Sequence, residues 1–347
     1  MTYNVRKTEQ AKGTDMPTST LPTTMDAAVQ DRYGPAHTVE IRRMAMPETA
    51  DNEVLVRVKA AGLDRGVVHL MTGLPYPVRL AGYGLRAPKY PVLGMDLSGV
   101  VERVGKDVTR FRPGDEVFGI GKGTFAEYSV ALESKLAPKP ANLTFEQAAA
   151  VAISGLTALQ GVRDHTNVES GQSLLVIGAS GGVGSYAVQI AKAYGIEVTG
   201  VCSTSKVDLV RSIGADHVID YQREQIDARG NHYDAILDIG GNRQLSQLRS
   251  VLSPRGTLVI VGSETGGRWL GGTDRQLRGM VLSLFVSQRL GTFISRESGD
   301  DLAVLGELME AGKVTPVIDK VYPLAEVRTA LGDLESGRAR GKLVIAV

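Results

Sequence analysis

The first part of the chain, from residue 25 to about residue 140, alternates short apolar stretches with glycine and proline. Residues 53–63 alternate apolar and polar side chains, as a half-buried strand does. Similar short patterns recur at 98–105, 112–119 and 123–130. Strands of this length, each bounded by turn residues, predict an all-β, barrel-like module.

The hydrophobic pattern changes near Thr144, where apolar residues take a helical spacing. Thr144 and Gln147 have the separation of a capping box, so a helix is predicted to begin there. Residues 173–179 then form an unbroken apolar run, which is typical of a parallel strand buried on both faces. Further apolar strands follow, most of them separated by helical stretches. This alternation predicts a doubly wound parallel sheet.

These patterns divide the chain into three predicted parts. Residues 1–24 show no apolar periodicity and lack the hydrophobic segment of a secretory signal, so they are expected to form a flexible tail. Residues 319–347 contain a helix and an apolar strand and are expected to return to the β-rich module. That module therefore comprises 25–148 and 319–347, and the parallel-sheet domain comprises 149–318.

A glycine-rich turn separates the apolar run from the helical stretch that follows it. Its glycines permit a tight turn, and the free N–H groups of the next helix can bind a pyrophosphate. The spacing is not the strict G-x-G-x-x-G, so a turn that binds nothing is the alternative, but the strand before it and the helix after it favour a dinucleotide site. The predicted cofactor-binding residues are Gly178, Ser180, Gly181, Gly182, Val183 and Gly184.

The end of the next strand indicates which dinucleotide binds. NAD-binding proteins carry Asp or Glu about 20 residues after the turn, where it holds the ribose 2′-hydroxyl. Here the strand ends without a carboxylate and runs into Ser203, Ser205 and Lys206. Lys206 offers a positive charge to a 2′-phosphate and the serines offer hydroxyl groups. The alternative makes Ser205 a helix N-cap and Lys206 a solvated residue; the sequence favours NADPH as the cofactor.

Length and charge narrow the classes of function. The 347 residues correspond to about two domains. A net charge of +1 gives no broad basic field, which argues against nucleic acid or a membrane surface as the partner. The single cysteine, Cys202, excludes an internal disulfide and a multi-cysteine metal site, and it is compatible with a cytoplasmic location.

Taken together, these segments resemble the medium-chain dehydrogenase/reductase superfamily, and within it the zinc-independent quinone oxidoreductase branch that includes zeta-crystallin. The resemblance implies a GroES-like β-rich catalytic domain joined to a Rossmann-type cofactor domain. It also implies that Thr157, Tyr221 and Gly262 join the cofactor site. Leu284 and Phe285 are expected to approach the nicotinamide, unless they are core or dimer-interface residues. The matching segments are 94–105, 111–119, 153–158, 178–184 and 214–221.

No metal is expected in this chain. Zinc-bearing relatives have Cys at the position of Asp64 and His at the position of Met95, and a methionine cannot replace that histidine. The four-cysteine lobe of those relatives is also missing after Gly119. Without a metal to activate a substrate, hydride transfer from NADPH needs an acceptor that is already activated, such as a quinone or an α,β-unsaturated carbonyl.

The resemblance places residues 61–76 on the substrate side of the nicotinamide, and Asp64, His69 and Tyr76 are the predicted catalytic residues. Many relatives have Asn at the position of Asp64 and Tyr at that of His69. Asp64 either positions the nicotinamide ribose or is a surface carboxylate. His69 either protonates the acceptor or is structural, and Tyr76 either donates its hydroxyl or braces a loop over the cleft at 73–91.

The predicted function is therefore reduction of a small-molecule quinone or enone acceptor by NADPH. A non-catalytic NADPH-bound protein, or a biosynthetic enzyme using the pocket for a cyclisation, remains an alternative. Residues 256–262 are expected close to the sheet edge, where an uncovered apolar strand would pair with a second copy in a homodimer. A covering helix, or an exposed loop at 265–278, would instead leave a monomer.

Overall fold

The computed structural model describes residues 21–228, 230, 232–241, 243–262 and 267–347. Of the predicted tail, residues 1–20 lie outside this range, and Thr24 already begins the first strand. Within the described ranges, no helix combines the length and the apolar character that a membrane crossing requires.

The β-rich part contains an antiparallel pair and a larger sheet. Strands β1 (Thr24–Val29) and β2 (Glu40–Ala45) form the pair. The larger sheet has seven strands in the described residues, in the order β14-β15-β3-β4-β5-β7 with β6 also paired to β3. Its bounds are β3 Glu53–Leu63, β4 Asp96–Val104, β5 Glu116–Ile120, β6 Tyr128–Leu132, β7 Leu136–Pro138, β14 Ile318–Pro323 and β15 Lys342–Ala346.

Strand β3 occupies the residues predicted for it but is buried almost throughout rather than on one face. It pairs with β4 along one edge and with β6 and β15 along the other. Val54 and Val56 pack into one apolar cluster, while Val58 and Leu63 pack into another. Because β15 pairs antiparallel with β3, the end of the chain returns to the β-rich sheet.

The second sheet is parallel throughout and has the order β10-β9-β8-β11-β12-β13. The strand order reverses between β8 and β11, and ligands of such sheets bind at the carboxyl ends of the strands at this reversal. The bounds are β8 Ser173–Ile177, β9 Glu197–Cys202, β10 His217–Asp220, β11 Tyr233–Asp238, β12 Leu252–Ile260 and β13 Arg289–Thr292.

Residues 256–262 lie close to the edge of this parallel sheet, as expected, but do not form the edge itself. Strand β12, which contains most of 256–262, lies between β11 and β13 and is paired on both sides. The edge is β13, a four-residue strand with one buried residue, Leu290. Strand β13 was not predicted from the sequence, because a strand of four residues is too short to show an apolar alternation.

The helices cover both sheets and connect them. Thr144 and Gln147 form the predicted capping box at the start of α2. Phe118 of β5, Leu156 of α3, Tyr186 of α4 and Leu305 of α8 belong to one apolar core, so the two sheets are packed together. The helices are α1 Arg65–Thr72, α2 Phe145–Ala149, α3 Ala152–Gln160, α4 Gly182–Ala193, α5 Val207–Ser212, α6 Leu245–Ser250, α7 Thr273–Ser283, α8 Gly299–Glu310 and α9 Val327–Glu335.

Two predicted loops contain helical structure. The 73–91 segment includes one wide helical turn at Arg79–Tyr83. The loop expected at 265–278 has its second half in α7, which begins at Thr273. Residues 265 and 266 of that loop lie outside the described residues.

Candidate functional site

The glycine-rich turn lies at the strand-order reversal, between β8 and α4. Gly178 has a φ of +86°, which a side chain would strain. A Cβ at Gly184 would lie 2.1 Å from the carbonyl oxygen of Gly178, so only glycine fits there. A Cβ at Gly181, in contrast, would meet only the Gly178 oxygen, at 3.5 Å. The turn therefore packs tightly against the sheet and leaves open space on its other side.

The start of α4 can use this space to bind an anion. Gly181 caps the helix without a side-chain hydrogen bond, and the first N–H groups of a helix have no partner within it. Val183 and Gly184 belong to this first turn, as predicted, and no side chain of Gly181 or Gly182 obstructs it. The residues present thus fit the diphosphate of a dinucleotide.

A loop from the β-rich part approaches the same turn. Residues 336–341 connect α9 to β15. The Gly341 N–H donates to the carbonyl oxygen of Ser180 at 3.0 Å, and Lys206 Nζ donates to the Ala339 carbonyl oxygen at 2.7 Å. Two predicted cofactor-binding residues, Ser180 and Lys206, are therefore held by the opposite part of the chain.

The segment after β9 has a carboxylate neighbour that the sequence analysis missed. Thr204 Oγ1 donates to Asp220 Oδ2 at 2.6 Å, and the Gln222 N–H donates to Asp220 Oδ1 at 3.0 Å. Arg223 lies 3.4 Å from the same carboxylate. Strand β9 ends without a carboxylate, as expected, but Asp220 ends the adjacent strand β10 and brings a carboxylate to the same place. The sequence does contain an acidic residue at the end of the next strand, and this signal could have revealed the carboxylate.

The other predicted cofactor residues occupy different environments. Tyr221 follows β10 and is half exposed, and its N–H donates to the Cys202 carbonyl oxygen at 3.1 Å. Gly262 follows β12, and a Cβ there would lie 2.7 Å from the Ile239 carbonyl oxygen. Both therefore lie at the carboxyl edge of the parallel sheet. Thr157 lies within α3, and its hydroxyl is already bonded within the protein, to Ile153 and Ser295. Their contacts with a cofactor stay predictions.

Leu284 and Phe285 follow α7 on the surface of the chain, 80% and 79% exposed. The alternative that they are ordinary core residues is therefore wrong. They continue an exposed apolar stripe on α7 that includes Leu277, Met280 and Val281. The helix itself is held in place by an ion pair between Arg275 and Asp238 at the end of β11.

Asp64 is a buried carboxylate without a hydrogen-bond partner. It follows β3 and precedes α1, yet its side chain makes no capping bond. It is 8% exposed, and neither carboxylate oxygen has a partner among the described residues. The surface alternative is therefore wrong. Leaving such a group unsatisfied is costly, so this position fits a ligand that donates hydrogen bonds, as the hydroxyl groups of a nicotinamide ribose do.

His69 and Tyr76 both make contacts with neighbouring residues of the chain. His69 is exposed, and its Nδ1 lies 2.8 Å from the carbonyl oxygen of Leu74. The ring of Tyr76 packs edge-on against Trp269, with ring centres 5.1 Å apart, and its N–H donates to the Arg268 carbonyl oxygen at 3.0 Å. Tyr76 thus braces the 73–91 segment, and the catalytic roles of both residues stay predictions.

A buried ion pair behind Asp64 was also missed. Lys342 Nζ lies 3.2 Å from Asp96 Oδ2 and 3.2 Å from Ser154 Oγ. The Ile153 N–H donates to the other oxygen of Asp96 at 2.9 Å. Burial raises the pKa of Asp96 to about 7 and the charge of Asp64 adds to this effect, while Lys342 opposes it. A lysine at the start of an apolar strand was the signal in the sequence.

Metal-ligating side chains do not cluster in the described part of the chain. No group of three or more His, Cys, Asp or Glu side chains is placed there to hold an ion. The lone thiol, Cys202, is buried, which raises its pKa to about 11.

Known proteins resemble this chain over most of its length. Two family models match, "Alcohol dehydrogenase GroES-like domain" at 50–141 and "Zinc-binding dehydrogenase" at 213–345. A mitochondrial NAD(P)H oxidoreductase (RTN4IP1) of Bos taurus is 35% identical, over 95% of this chain and 91% of the relative. A chloroplastic NADPH-dependent alkenal/one oxidoreductase of Arabidopsis thaliana is 32% identical, over 94% and 81%.

Solved structures agree with this assignment. The quinone oxidoreductase from Coxiella burnetii superposes with a TM-score of 0.80 at 28% identity, over 93% of this chain and 99% of the other. Both predicted architectural parts, the GroES-like domain and the Rossmann-like parallel sheet, are therefore confirmed. The chain belongs to the zinc-independent quinone oxidoreductase branch of the medium-chain dehydrogenase/reductase superfamily, whose members are oxidoreductases that use a nicotinamide cofactor.

Proposed function

We propose that this protein is an NADPH-dependent, metal-independent reductase that transfers hydride to a quinone or an α,β-unsaturated carbonyl. The observation that carries the proposal is an open, glycine-lined turn packed against the Asp96–Lys342 pair, on which the charge of a buried, unpartnered carboxylate, Asp64, also acts. Relatives named for quinone and for alkenal reduction support this acceptor class. When bound, NADPH supplies the hydride.

Different residues of the chain bind the different parts of the cofactor. The first turn of α4 binds the diphosphate through its N–H groups. Lys206, with the hydroxyl groups of Ser203 and Ser205, binds the 2′-phosphate. Asp64 holds the nicotinamide end.

Two side chains on the acceptor side would complete the reaction. Tyr76 and His69 offer hydrogen-bond donors to the acceptor oxygen, where negative charge develops during reduction. A conjugated oxygen stabilised in this way needs no metal, because the negative charge is already spread over the acceptor.

Incubation with NADPH and a panel of quinones and enones, followed by absorbance at 340 nm, tests the function. We expect oxidation of NADPH with at least one acceptor and a strong loss of rate in Asp64→Asn. Glu53→Gln is the matched control, since Glu53 is also a buried carboxylate of β3 but lies at its opposite end. Tight NADPH binding without turnover on any acceptor would contradict the proposal and favour a non-catalytic role.

We also propose that the protein is a homodimer that joins across β13. This strand has no partner on its outer side in the described sheet, and the exposed apolar stripe of α7 lies beside it. An uncovered strand edge next to apolar surface favours association.

A further inference from the structure

The buried ion pair of Asp96 and Lys342 lies directly against the glycine-rich turn. A Cβ at Gly182 would be 3.1 Å from Lys342 Cδ and 3.1 Å from Ser154 Oγ. The residue before Lys342, Gly341, is bonded to Ser180 of the turn. A diphosphate bound at this turn would therefore lie close to the charges of the pair.

Asp64, Asp96 and Lys342 form a buried cluster that contains two carboxyl groups and one ammonium group. Asp96 and Lys342 are almost completely buried, and Asp64 is 8% exposed. If all three are ionised, the cluster carries one net negative charge, which is costly in a buried site. One additional proton makes the cluster neutral.

The groups around Asp96 come from three elements and from Asp64. They are Lys342 from β15, Ile153 N–H and Ser154 from α3, Tyr186 from α4, and Asp64 after β3. Of these, Lys342 supplies the positive charge. Burial and the charge of Asp64 together outweigh Lys342 and the N–H group, so Asp96 exchanges its proton near neutral pH.

We propose that Asp96 takes up a proton when the cofactor diphosphate binds, so that the buried cluster becomes neutral. The reason is electrostatic: the negative diphosphate beside Gly182 favours the protonated form of the nearby carboxyls. The uptake rests on the cofactor binding that the proposed function includes, and it needs no acceptor.

Calorimetric titration of the whole protein with NADPH, in buffers of different ionisation enthalpy, measures the uptake directly. Asp96 is largely ionised above its pKa of about 7, so at about pH 8 we expect uptake of up to about one proton. At about pH 5.5 the cluster is already protonated and the uptake should vanish. Absence of uptake at about pH 8 would overturn the proposal.

Three variants test whether the proton is taken up by this cluster. Asp96→Asn keeps an acceptor for the Ile153 N–H and should abolish the uptake at about pH 8. Asp64→Asn has no hydrogen bond to lose, so it should fold normally, and it should reduce the uptake because one negative charge is gone. Glu53→Gln, a carboxylate paired with Lys122 at the other end of β3, should leave the uptake unchanged.

Uptake in Asp96→Asn and Asp64→Asn equal to that of the unaltered protein would overturn the assignment. The calorimetry uses no acceptor. An absence of turnover would therefore count against the proposed function, and an absence of proton uptake against the cluster.

Discussion

Thr204 donates a hydrogen bond of 2.6 Å to Asp220 and so fixes a carboxylate beside the residues proposed to bind the 2′-phosphate. Lys206, two residues further on, bonds to the Ala339 carbonyl oxygen from the opposite part of the chain. The preference between NADPH and NADH therefore depends on a positive and a negative group side by side. Asp220 favours a ribose hydroxyl and Lys206 favours a phosphate.

Lys206→Ala is expected to weaken NADPH binding by about 1.5–3 kcal/mol, the contribution of a charged hydrogen bond. NADH binding should change little, because NADH lacks the phosphate. Dissociation constants for both cofactors, measured by calorimetry, check this. Lys192→Ala is the control, since Lys192 pairs with Asp216 in the same domain. An equal loss for both cofactors would reject the role of Lys206.

Asp220→Asn should shift the preference in the opposite direction. Removing the negative charge beside Thr204 is expected to strengthen NADPH binding relative to NADH, because a carboxylate repels a phosphate. The ratio of the two dissociation constants is the measurement. A ratio that moves toward NADH would show that Asp220 does not face the ribose.

Removal of metal ions should leave the protein unchanged. After prolonged chelation, we expect the same rate of NADPH oxidation and the same thermal midpoint, because the proposed reaction uses no metal. Elemental analysis of the purified protein completes the test. One zinc ion per chain, or a loss of activity that added zinc restores, would contradict the prediction.

Light scattering at micromolar concentration should give about twice the chain mass of 37.0 kDa. Phe285→Glu is expected to shift the protein toward the single-chain mass, because it places a charge on the exposed apolar surface beside β13. Leu85→Glu, an equally drastic change at an exposed apolar residue of the 73–91 segment, serves as the control. A single-chain mass in the unaltered protein would reject the dimer.

Tyr76→Phe removes the hydroxyl but keeps the ring that packs against Trp269. If the hydroxyl bonds to the acceptor oxygen, kcat/KM should fall by about tenfold, which corresponds to one hydrogen bond of about 1.4 kcal/mol. The thermal midpoint should stay the same, because the bracing contacts remain. Unchanged kinetics would leave Tyr76 with the bracing role alone.

The sequence predicted those features that depend on residues close together in the chain. The strand at β3, the capping box of Thr144 and the turn before α4 follow from local patterns, and the structure contains each of them, although β3 is buried on both faces. The pair of Asp96 and Lys342 joins residues 246 positions apart, so a local pattern could single out the lysine at the start of β15 but not its partner. Asp220 was missed for a related reason, since the sequence does not state which strand ends are neighbours.

The pairing of β15 with β3 limits when the β-rich sheet can form during synthesis of the chain. On the ribosome, β3 emerges long before β15, and the entire parallel sheet is synthesised between them. Until β15 arrives, part of one edge of β3 remains unpaired and open to association with other chains. The β-rich sheet can therefore close only after β15 has emerged. A nascent chain stalled after β13 would present this edge to molecular chaperones.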